Sequence, residues 1–183
     1  MKISLKLLFS IVVPLGPLLA THAQALTLTS SAFANHGALP ARFTCKGAGI
    51  SPPLAWHAAP HGTQGYALIL SDPDAPDPRH PPTHTYVHWV VAYLPAGIHA
   101  LAQAQSTSLP SSSRDGVNST GHSGYTPPCP PAGRHHYIFT LYALDTAARL
   151  TPAAANRAEV LKAITPHVLA QTQLIGTYQH HPN

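Results

Sequence analysis

Charged side chains are scarce in this chain of 183 residues: only 9% are Asp, Glu, Lys or Arg, and only six are acidic. No cluster of Lys and Arg occurs, and the net charge of +4 falls to about +2 without Lys2 and Lys6 of the N-terminal leader. Such a weak positive charge argues against a nucleic-acid-binding protein. Because 44% of the residues are hydrophobic, the low charge does not indicate a disordered chain.

Proline and glycine, in contrast, are frequent, with 20 and 12 residues. This composition argues against a helical bundle and favours short strands joined by many turns. The sequence contains no internal repeat and no linker-like segment. Its length fits one domain that can bury an ordinary hydrophobic core.

The first 25 residues have the three parts of a secretory signal peptide. Lys2 and Lys6 provide a positive start, residues 7–20 are apolar, and Ala23-Gln24-Ala25 has the small-x-small pattern of a cleavage site. Two prolines and a glycine interrupt the apolar run, which is too short for a span of about 20 residues. No lipobox cysteine follows it. We therefore expect export to the periplasm or secretion, cleavage after Ala25, and one mature domain of residues 26–183 without a membrane span.

Cys45 and Cys129 are the only cysteines in the chain. In an oxidising compartment, an even number of cysteines suggests a disulfide bond. Two unpaired cysteines, acting as small apolar side chains, are an equally good interpretation of the spacing alone. The residues by themselves leave both alternatives open.

Hydrophobic patterning predicts that most of the regular structure is β-strand. The strongest signals are the β-branched and aromatic runs at 86–94 and 136–144, and Tyr66 to Leu70 is typical of a short buried strand. Weaker patterns predict further strands at 26–34, 40–45, 54–56 and 174–178.

Helices are expected only near the C-terminus. Residues 153–164 are rich in alanine and lack Gly and Pro, which predicts a helix. Thr165 could cap a second helix that has Pro166 at its first position and runs to about Gln173. Residues 72–82, with five prolines, and the polar stretch 105–133 are expected to be loops. The pattern indicates a mainly β or an α+β fold.

The scarce acidic residues include a cluster at the end of a predicted strand. Asp72, Asp74 and Asp77 lie within six residues, and prolines separate them. These aspartates could simply bond to the local backbone in turns. Asp72 is the strongest functional candidate, because it directly follows the buried strand.

Histidine, in contrast, is abundant, with 14 residues. His88 lies inside the strongest predicted strand, where a polar ring needs a buried partner or a cavity. His135 and His136 begin the other strong strand, and adjacent strand residues point to opposite faces. At most one of this pair can therefore share a pocket with His88.

Several reaction classes lack their usual motifs. The sequence has no Cys-x-x-Cys or His-Glu-x-x-His zinc motif, no Gly-x-Ser-x-Gly turn and no Walker-type phosphate loop. Asp72 and Asp74 are too close together to lie easily on opposite sides of a glycosidic bond. Asp72, His88 and His135 leave one alternative open, because two histidines and a carboxylate can form an iron site. Otherwise we expect no metal and no cofactor, and the residues suggest a small polar pocket lined by one carboxylate and two imidazoles, with no obvious nucleophile.

Three ordered motifs carry a family resemblance: Asp72-Pro73-Asp74-Ala75-Pro76, Val87-His88-Trp89-Val90, and Pro130-Pro131-x-Gly133-x-His135-x-Tyr137. Together they resemble the phosphatidylethanolamine-binding proteins, also called Raf-kinase-inhibitor-like proteins, and in particular the bacterial YbhB/YbcL branch. The resemblance extends over roughly residues 26–179. It also includes Ser51-Pro52-Pro53-Leu54-x-Trp56, residues 121–125 before a Pro-Cys-Pro-Pro stretch, and the ending at 167–178.

This resemblance implies a β-sandwich-like antiparallel core with a few short peripheral helices. It also implies a small pocket for phosphate, acetate, cacodylate or a phosphoethanolamine head group. The matching positions implied to bind the ligand are Asp72, Pro76, His88, His135 and Tyr137. His135 and Tyr137 are two residues apart and therefore share a face of their strand.

The resemblance has two further consequences. Relatives often carry cysteines at both matching positions, which favours a bridge between Cys45 and Cys129. The family usually has arginine where this chain has His136, so the structural ion pair of that arginine is in doubt here.

The implied function is that of an exported, non-enzymatic binding protein for a small anionic or phosphorylated ligand, with a lipid head group as one candidate. The alternative is an inhibitor of a protease or another hydrolase that acts through its proline-rich surface. A protein partner and a homodimer both remain open at this stage.

Overall fold

The computed structural model describes residues 25–75, 85–147 and 151–179, and its regular structure is mainly β. The leader, residues 1–24, and Pro76, one of the expected ligand-binding residues, lie outside the described residues. The strands in chain order are β1 Thr27–Thr29, β2 Gly37–Ala38, β3 Leu54–His57, β4 Gly65–Asp72, β5 Tyr86–Pro95, β6 Ala100–Leu101, β7 Arg114–Asp115, β8 Arg134–Leu144 and β9 Val168–Gln179. Within the described ranges one α-helix, α1, spans Arg157–Ile164.

The strands form two sheets. The larger has six strands in the order β2-β9-β8-β4-β5-β7, and the smaller has the order β1-β3-β6. The central pairings β9-β8-β4-β5 are all antiparallel, and only the short β2 runs parallel to its neighbour β9. The sequence prediction of a mainly β fold is thus confirmed.

The larger sheet is covered on both faces. One face packs against the smaller sheet around aromatic side chains such as Trp56, Trp89 and Phe139, which are fully buried. The other face packs against α1 through Val160 and Ile164. Because both faces are covered, β4 is nearly all apolar in sequence and does not alternate between apolar and polar residues.

Helix α1 is shorter than the predicted 153–164. It begins after Asn156, whose side chain accepts hydrogen bonds from the backbone N–H groups of Ala158 and Glu159 at 2.9 and 3.1 Å. Glu159 accepts in return from the backbone N–H of Asn156, which completes a capping box. Ala154, just before this cap, has a φ of 59°, which a helix does not allow.

Two predicted elements are wrong. Residues 40–45 form no strand, because Phe43 and Thr44 donate backbone hydrogen bonds to Pro40 and Ala41 in a 3-10 turn. The predicted helix from Thr165 to Gln173 is only a 3-10 turn, Thr165–His167, after which β9 begins. Pairing with β8 along the whole of β9 overrides the helix propensity of its Leu, Ala and Gln residues.

The other strand predictions hold with shifted ends. The expected opening strand at 26–34 is confined to β1, and the expected last strand at 174–178 is the second half of β9. Residues 105–133 form a long connection that contains only a 3-10 turn and the two-residue β7. Among the described residues, no helix is long and apolar enough to cross a membrane.

Candidate ligand-binding site

The candidate site lies where three neighbouring strands of the larger sheet meet. Because β5 and β8 flank β4 and both run antiparallel to it, their first residues reach its last residue, Asp72. This topology brings His88 from β5 and His135 from β8 beside Asp72, although 16 or more residues separate each histidine from it in sequence. Gly133, with a φ of 71°, makes the turn that leads into β8.

Asp72 and His135 form a buried pair at the base of the site. Their side chains are 3% and 1% exposed, and Asp72 Oδ2 lies 2.7 Å from His135 Nδ1. Because a carboxylate only accepts, Nδ1 of His135 must carry the proton. The other carboxylate oxygen, Oδ1, accepts from the backbone N–H of Asp74 at 2.9 Å, which fixes the turn after β4.

His88 is oriented by the backbone of the loop that faces it. Its Nδ1 lies 2.8 Å from the carbonyl oxygen of Thr126, and the Thr126 N–H donates to the His88 carbonyl at 2.8 Å. A carbonyl only accepts, so Nδ1 carries a proton and the neutral ring has a lone pair on Nε2. Nε2 lies 4.0 Å from Asp72 Oδ2. Burial lowers the pKa of His88, although Thr126 and Asp72 partly oppose that effect.

These groups line a cavity of about 270 Å³. Its polar lining consists of Asp72, Tyr86, His88, Thr126, His135 and Tyr137. The apolar wall consists of Ala75, Pro127, Cys129, Pro130 and Pro131. Asp72 is the one fixed charge in this lining, so an anion that enters finds no permanent positive charge among the described residues.

Two buried polar atoms at the cavity lack a well-formed hydrogen bond among the described residues: His135 Nε2 and the Tyr137 hydroxyl. Burial raises the pKa of Tyr137, and the charge of the nearby Asp72 carboxylate and a hydrogen bond with it raise the pKa further, so this phenol keeps its proton. Buried polar atoms without partners are costly in a folded protein. Of the two, only His135 Nε2 has no hydrogen-bond partner at all among the described residues.

A disulfide bond holds part of the cavity wall. Cys45 is joined to Cys129, with Cα atoms 5.4 Å apart and a sequence separation of 84. The backbone N–H of Cys45 also donates to the Pro128 carbonyl at 3.0 Å. The bridge that the resemblance implied is thus present and lies at the edge of the cavity.

Comparison with known proteins adds an independent line of evidence. The family model described as phosphatidylethanolamine-binding protein matches residues 29–179. The chain belongs to this family. Members are generally binding proteins rather than enzymes.

Curated relatives and solved structures agree with this assignment. A UPF0098 protein from Methanothermobacter thermautotrophicus is 41% identical over 84% of this chain and 99% of its own length. A Chlamydia trachomatis structure described as a phosphatidylethanolamine-binding protein homologue has a TM-score of 0.76, is 35% identical, and is matched over 86% of this chain and 99% of its own. Escherichia coli YbcL has a TM-score of 0.77 and is 28% identical, over 86% of this chain and 100% of its own. These matches are consistent with the YbhB/YbcL branch.

The structure brings together four of the five residues expected to bind the ligand in this member of the family. Asp72, His88, His135 and Tyr137 all line the cavity. His136 lies outside it, as strand alternation predicts. Whether these residues bind a ligand remains a prediction.

Sequence reasoning missed two polar lining residues, Tyr86 and Thr126. Tyr86 lies two positions before His88, so strand alternation places both on one face, and their ring centroids are 4.8 Å apart. That signal was available in the sequence. No comparable signal marked Thr126, because its position depends on how the long 105–133 connection folds back onto β5.

The iron-site alternative for Asp72, His88 and His135 is not supported by the geometry. Among the described residues, no three His, Cys, Asp or Glu side chains are arranged to hold a metal ion. The Asp72 oxygen nearest to both histidines already accepts from His135 Nδ1. A shared metal would need that hydrogen bond to break.

Proposed function

We propose that this protein is an exported, non-enzymatic binding protein whose cavity beside Asp72 takes up a small anionic or phosphorylated group. The observation that carries this proposal is the cavity lined by Asp72, His88, His135 and Tyr137, where the buried pair of Asp72 and His135 leaves His135 Nε2 without a hydrogen bond among the described residues. The ligand is a phosphate-like group, either free or as part of a lipid head group.

Protonation of the histidines would supply the positive charge that the cavity otherwise lacks. In their neutral forms, His88 and His135 each use Nδ1–H for a protein acceptor and present a lone pair at Nε2. A lone pair repels an anion. Each ring that takes up a proton becomes a charge-assisted donor, and Asp72 holds the His135 ring in place through Nδ1.

The cavity favours a compact head group. A volume of about 270 Å³ is near the lower end of ordinary ligand sites. Prolines 127, 130 and 131 and the disulfide form a wall with few rotatable bonds, which limits how far the site can expand. An acyl chain would therefore have to remain outside.

Export is supported by the leader pattern at residues 1–25 and by one relative. That relative, LppC of Mycobacterium tuberculosis, is named as a lipoprotein and is 39% identical over 87% of this chain. The disulfide is of a kind that persists in oxidising compartments. We propose that the protein is periplasmic or secreted. It would be cleaved after Ala25 and folded as one domain of residues 26–183.

Calorimetry with inorganic phosphate and O-phosphoethanolamine tests the binding function. We expect both ligands to bind the wild type, and His135→Ala to lose at least tenfold in affinity because a charge-assisted bond is removed. His136→Ala is the matched control, because the neighbouring ring lies outside the cavity. If neither ligand binds, or if His136→Ala loses affinity while His135→Ala keeps it, the proposal fails.

The inhibitor alternative predicts a different result. An inhibitor that acts through its surface would form a stable complex with a protease or another hydrolase, and His135→Ala would leave that complex intact. Within the described residues we find no surface feature that favours this alternative over the cavity.

A further inference from the structure

One loop of the long 105–133 connection is fastened to the first residues of β5. This loop, residues 117–126, is called the Asn118 loop here. The backbone N–H of Ser119 donates to the Val87 carbonyl at 2.9 Å, and the Ser119 hydroxyl accepts from the Val87 N–H at 2.8 Å. At the end of the loop, the N–H of Thr126 donates to the His88 carbonyl at 2.8 Å. The loop therefore meets β5 at the strand's cavity histidine.

Asn118 holds this loop together from the inside. It is 7% exposed, and its side-chain NH₂ donates to the Gly124 carbonyl at 3.1 Å and to the Thr126 hydroxyl at 3.0 Å. Its Oδ1 accepts from the backbone N–H of Thr120 at 2.9 Å and from the Thr120 hydroxyl at 2.6 Å. Because a carbonyl only accepts and a backbone N–H only donates, these partners fix which way round the amide lies. Both donors and both acceptor positions of this buried amide are used.

Thr126 is held from two sides as a result. Its hydroxyl accepts from Asn118, and its carbonyl oxygen lies 2.8 Å from Nδ1 of His88. Pro127 follows, and a proline restricts the backbone of the residue before it to extended conformations. The Thr126 carbonyl therefore has little freedom to turn away from the histidine ring.

This carbonyl decides which nitrogen of His88 is available to a ligand. It requires a proton on Nδ1, so Nε2 of the neutral ring keeps the lone pair and takes up the second proton when the ring becomes charged. Burial lowers the pKa of His88, and the hydrogen bond to Thr126 opposes that effect. The bond thus sets both the tautomer and the ease of protonation.

The other titratable groups around His88 do not replace this bond. The charge of Asp72, at the end of β4, raises the pKa of His88, and the charge of His135, on β8, lowers it. The rings of Tyr86 and Tyr137 have centroids 4.8 and 5.3 Å from that of His88. Among the described residues, none of these four groups accepts a hydrogen bond from Nδ1 of His88.

We propose that Asn118 is a positioning residue of the binding site, because it holds the Thr126 carbonyl against Nδ1 of His88 and so keeps Nε2 as the nitrogen that meets the ligand. Asn118 does not line the cavity itself, and it acts only through Thr126. The assignment of the tautomer stands on the free protein alone. The role toward a ligand rests on the proposed binding function.

Four variants separate this role from general support of the loop. Asn118→Leu has a similar shape without the polar atoms, and Thr126→Val removes only the hydroxyl that accepts from Asn118. Thr126→Ser retains that hydroxyl and should behave like the wild type. Thr120→Val removes one bond on the other side of the same amide, so it is the matched control for a loosened loop.

Nitrogen-15 NMR of the histidine rings in the ligand-free protein is the deciding measurement. The signals of His88 are those lost in His88→Gln. We expect the neutral wild-type ring to carry its proton on Nδ1. In Asn118→Leu and Thr126→Val both tautomers should be populated, and the titration midpoint of His88 should move to lower pH, because the bond that raises its pKa is weakened. Thr126→Ser and Thr120→Val should keep the wild-type tautomer and midpoint.

A phosphate titration at neutral pH adds the functional measurement. Asn118→Leu and Thr126→Val should bind about threefold to tenfold more weakly than the wild type, as expected for one weakened hydrogen bond. If the wild type binds no phosphate, the proposed function fails, and the ring measurement still decides whether Asn118 sets the tautomer.

The proposal is overturned if neutral His88 of the wild type carries its proton on Nε2, or if Thr126→Val keeps the wild-type tautomer and midpoint. It is also overturned if Thr120→Val changes them as much as Thr126→Val does, since the effect would then come from the loop as a whole. A changed tautomer with unchanged phosphate affinity would mean that the ligand does not meet this nitrogen, and would overturn it too. Thr126→Val decides alone if Asn118→Leu does not fold.

Discussion

Asp74 Oδ2 accepts two hydrogen bonds from His136, one from the backbone N–H at 2.7 Å and one from ring Nδ1 at 2.8 Å. The usual arginine of the family is absent at this position, yet an ion pair remains available through the imidazole. It ties the turn after β4 to the start of β8. The bond between the His136 ring and Asp74 lies on the opposite face of β8 from the bond between His135 and Asp72. The turn after β4 is therefore held to both faces of β8.

His136→Ala should have a small effect on stability and almost none on ligand binding. The side chains of His136 and Asp74 are 49% and 28% exposed, and exposed pairs typically contribute under about 1 kcal/mol. The backbone N–H of residue 136 still donates to Asp74 in the variant. Urea denaturation and phosphate titration of His136→Ala and His136→Arg check this. A loss of several kcal/mol in His136→Ala, or a large loss of affinity, would show that the pair does more than hold the turn.

Asp72→Asn should weaken phosphate binding although it removes a negative charge from the cavity. Asp72 orients His135 through a short hydrogen bond to Nδ1, and asparagine retains the shape of the carboxylate without the charge that strengthens this bond. We expect a loss of about 1.5–3 kcal/mol in binding free energy by calorimetry. Near-ultraviolet circular dichroism provides the control for folding. Tighter phosphate binding by Asp72→Asn would show that the carboxylate acts only as a repulsive charge.

Phosphate binding should take up protons. Burial holds the pKa of His88 below 6.5 in the free protein, and a bound anion must raise it. At a pH between the pKa of His88 in the free protein and its higher pKa in the complex, the ring is neutral when free and protonated when bound. Affinity should therefore rise as the pH falls from about 8 to 6, by up to tenfold per pH unit for each proton taken up, until protonation of phosphate itself offsets the gain. Calorimetry in buffers of different ionisation enthalpy counts these protons, and a count of zero at every pH would contradict the prediction.

The parts of the fold that could be predicted from the sequence are those with a strong local pattern. Strands β5 and β8 are apolar, β-branched and aromatic over nine or more residues, and both were placed to within two residues. Strand β9 has no such pattern in its first half, where Leu, Ala and Gln also suit a helix. Its conformation is set by β8 alongside it, which is a long-range contact that local propensity does not contain.

The site shows the same division between local and long-range information. Alternation along β8 correctly separated His135 from His136, because neighbouring side chains of a strand face opposite sides. The pairing of His135 with Asp72, across 63 residues, depends on the strand order of the sheet, which local patterning does not contain. The position of Thr126 depends on the path of the connecting loop, which local patterning does not contain either.

Reduction of the bridge between Cys45 and Cys129 should lower both stability and affinity. Closure of a loop over an 84-residue separation contributes up to about 4 kcal/mol in the chain-entropy model, and measured values are often lower. Cys129 also lines the cavity, so loss of the disulfide bond should make that part of the cavity wall less rigid. Urea denaturation and phosphate titration with and without a thiol reductant test both effects. The double variant Cys45→Ser, Cys129→Ser should match the reduced wild type and should not respond to reductant.

Asp115→Asn should stabilise the protein at neutral pH. Burial raises the pKa of Asp115 to about 6, and the nearby Trp89 indole N–H opposes this only in part. Neither Asp115 Oδ1 nor Trp89 Nε1 completes a well-formed hydrogen bond among the described residues. Because the folded-state pKa lies above the ordinary value of 3.8, the folded state resists ionisation of this carboxyl.

The sign of the pH dependence follows directly. Below pH 3.8 the carboxyl is neutral in both the folded and the unfolded state and costs nothing, whereas above about pH 6 it is charged in both and the full penalty applies. We expect Asp115→Asn to gain roughly 1–3 kcal/mol in free energy of unfolding at pH 7 and almost nothing at pH 3.5. Asp145→Asn is a matched control, because Asp145 is exposed and pairs with His167 at 2.8 Å, so its removal should not stabilise the protein. Urea denaturation of both variants across this pH range decides the matter: an Asp115→Asn gain that is the same at both pH values would mean that burial of the charge is not its cause.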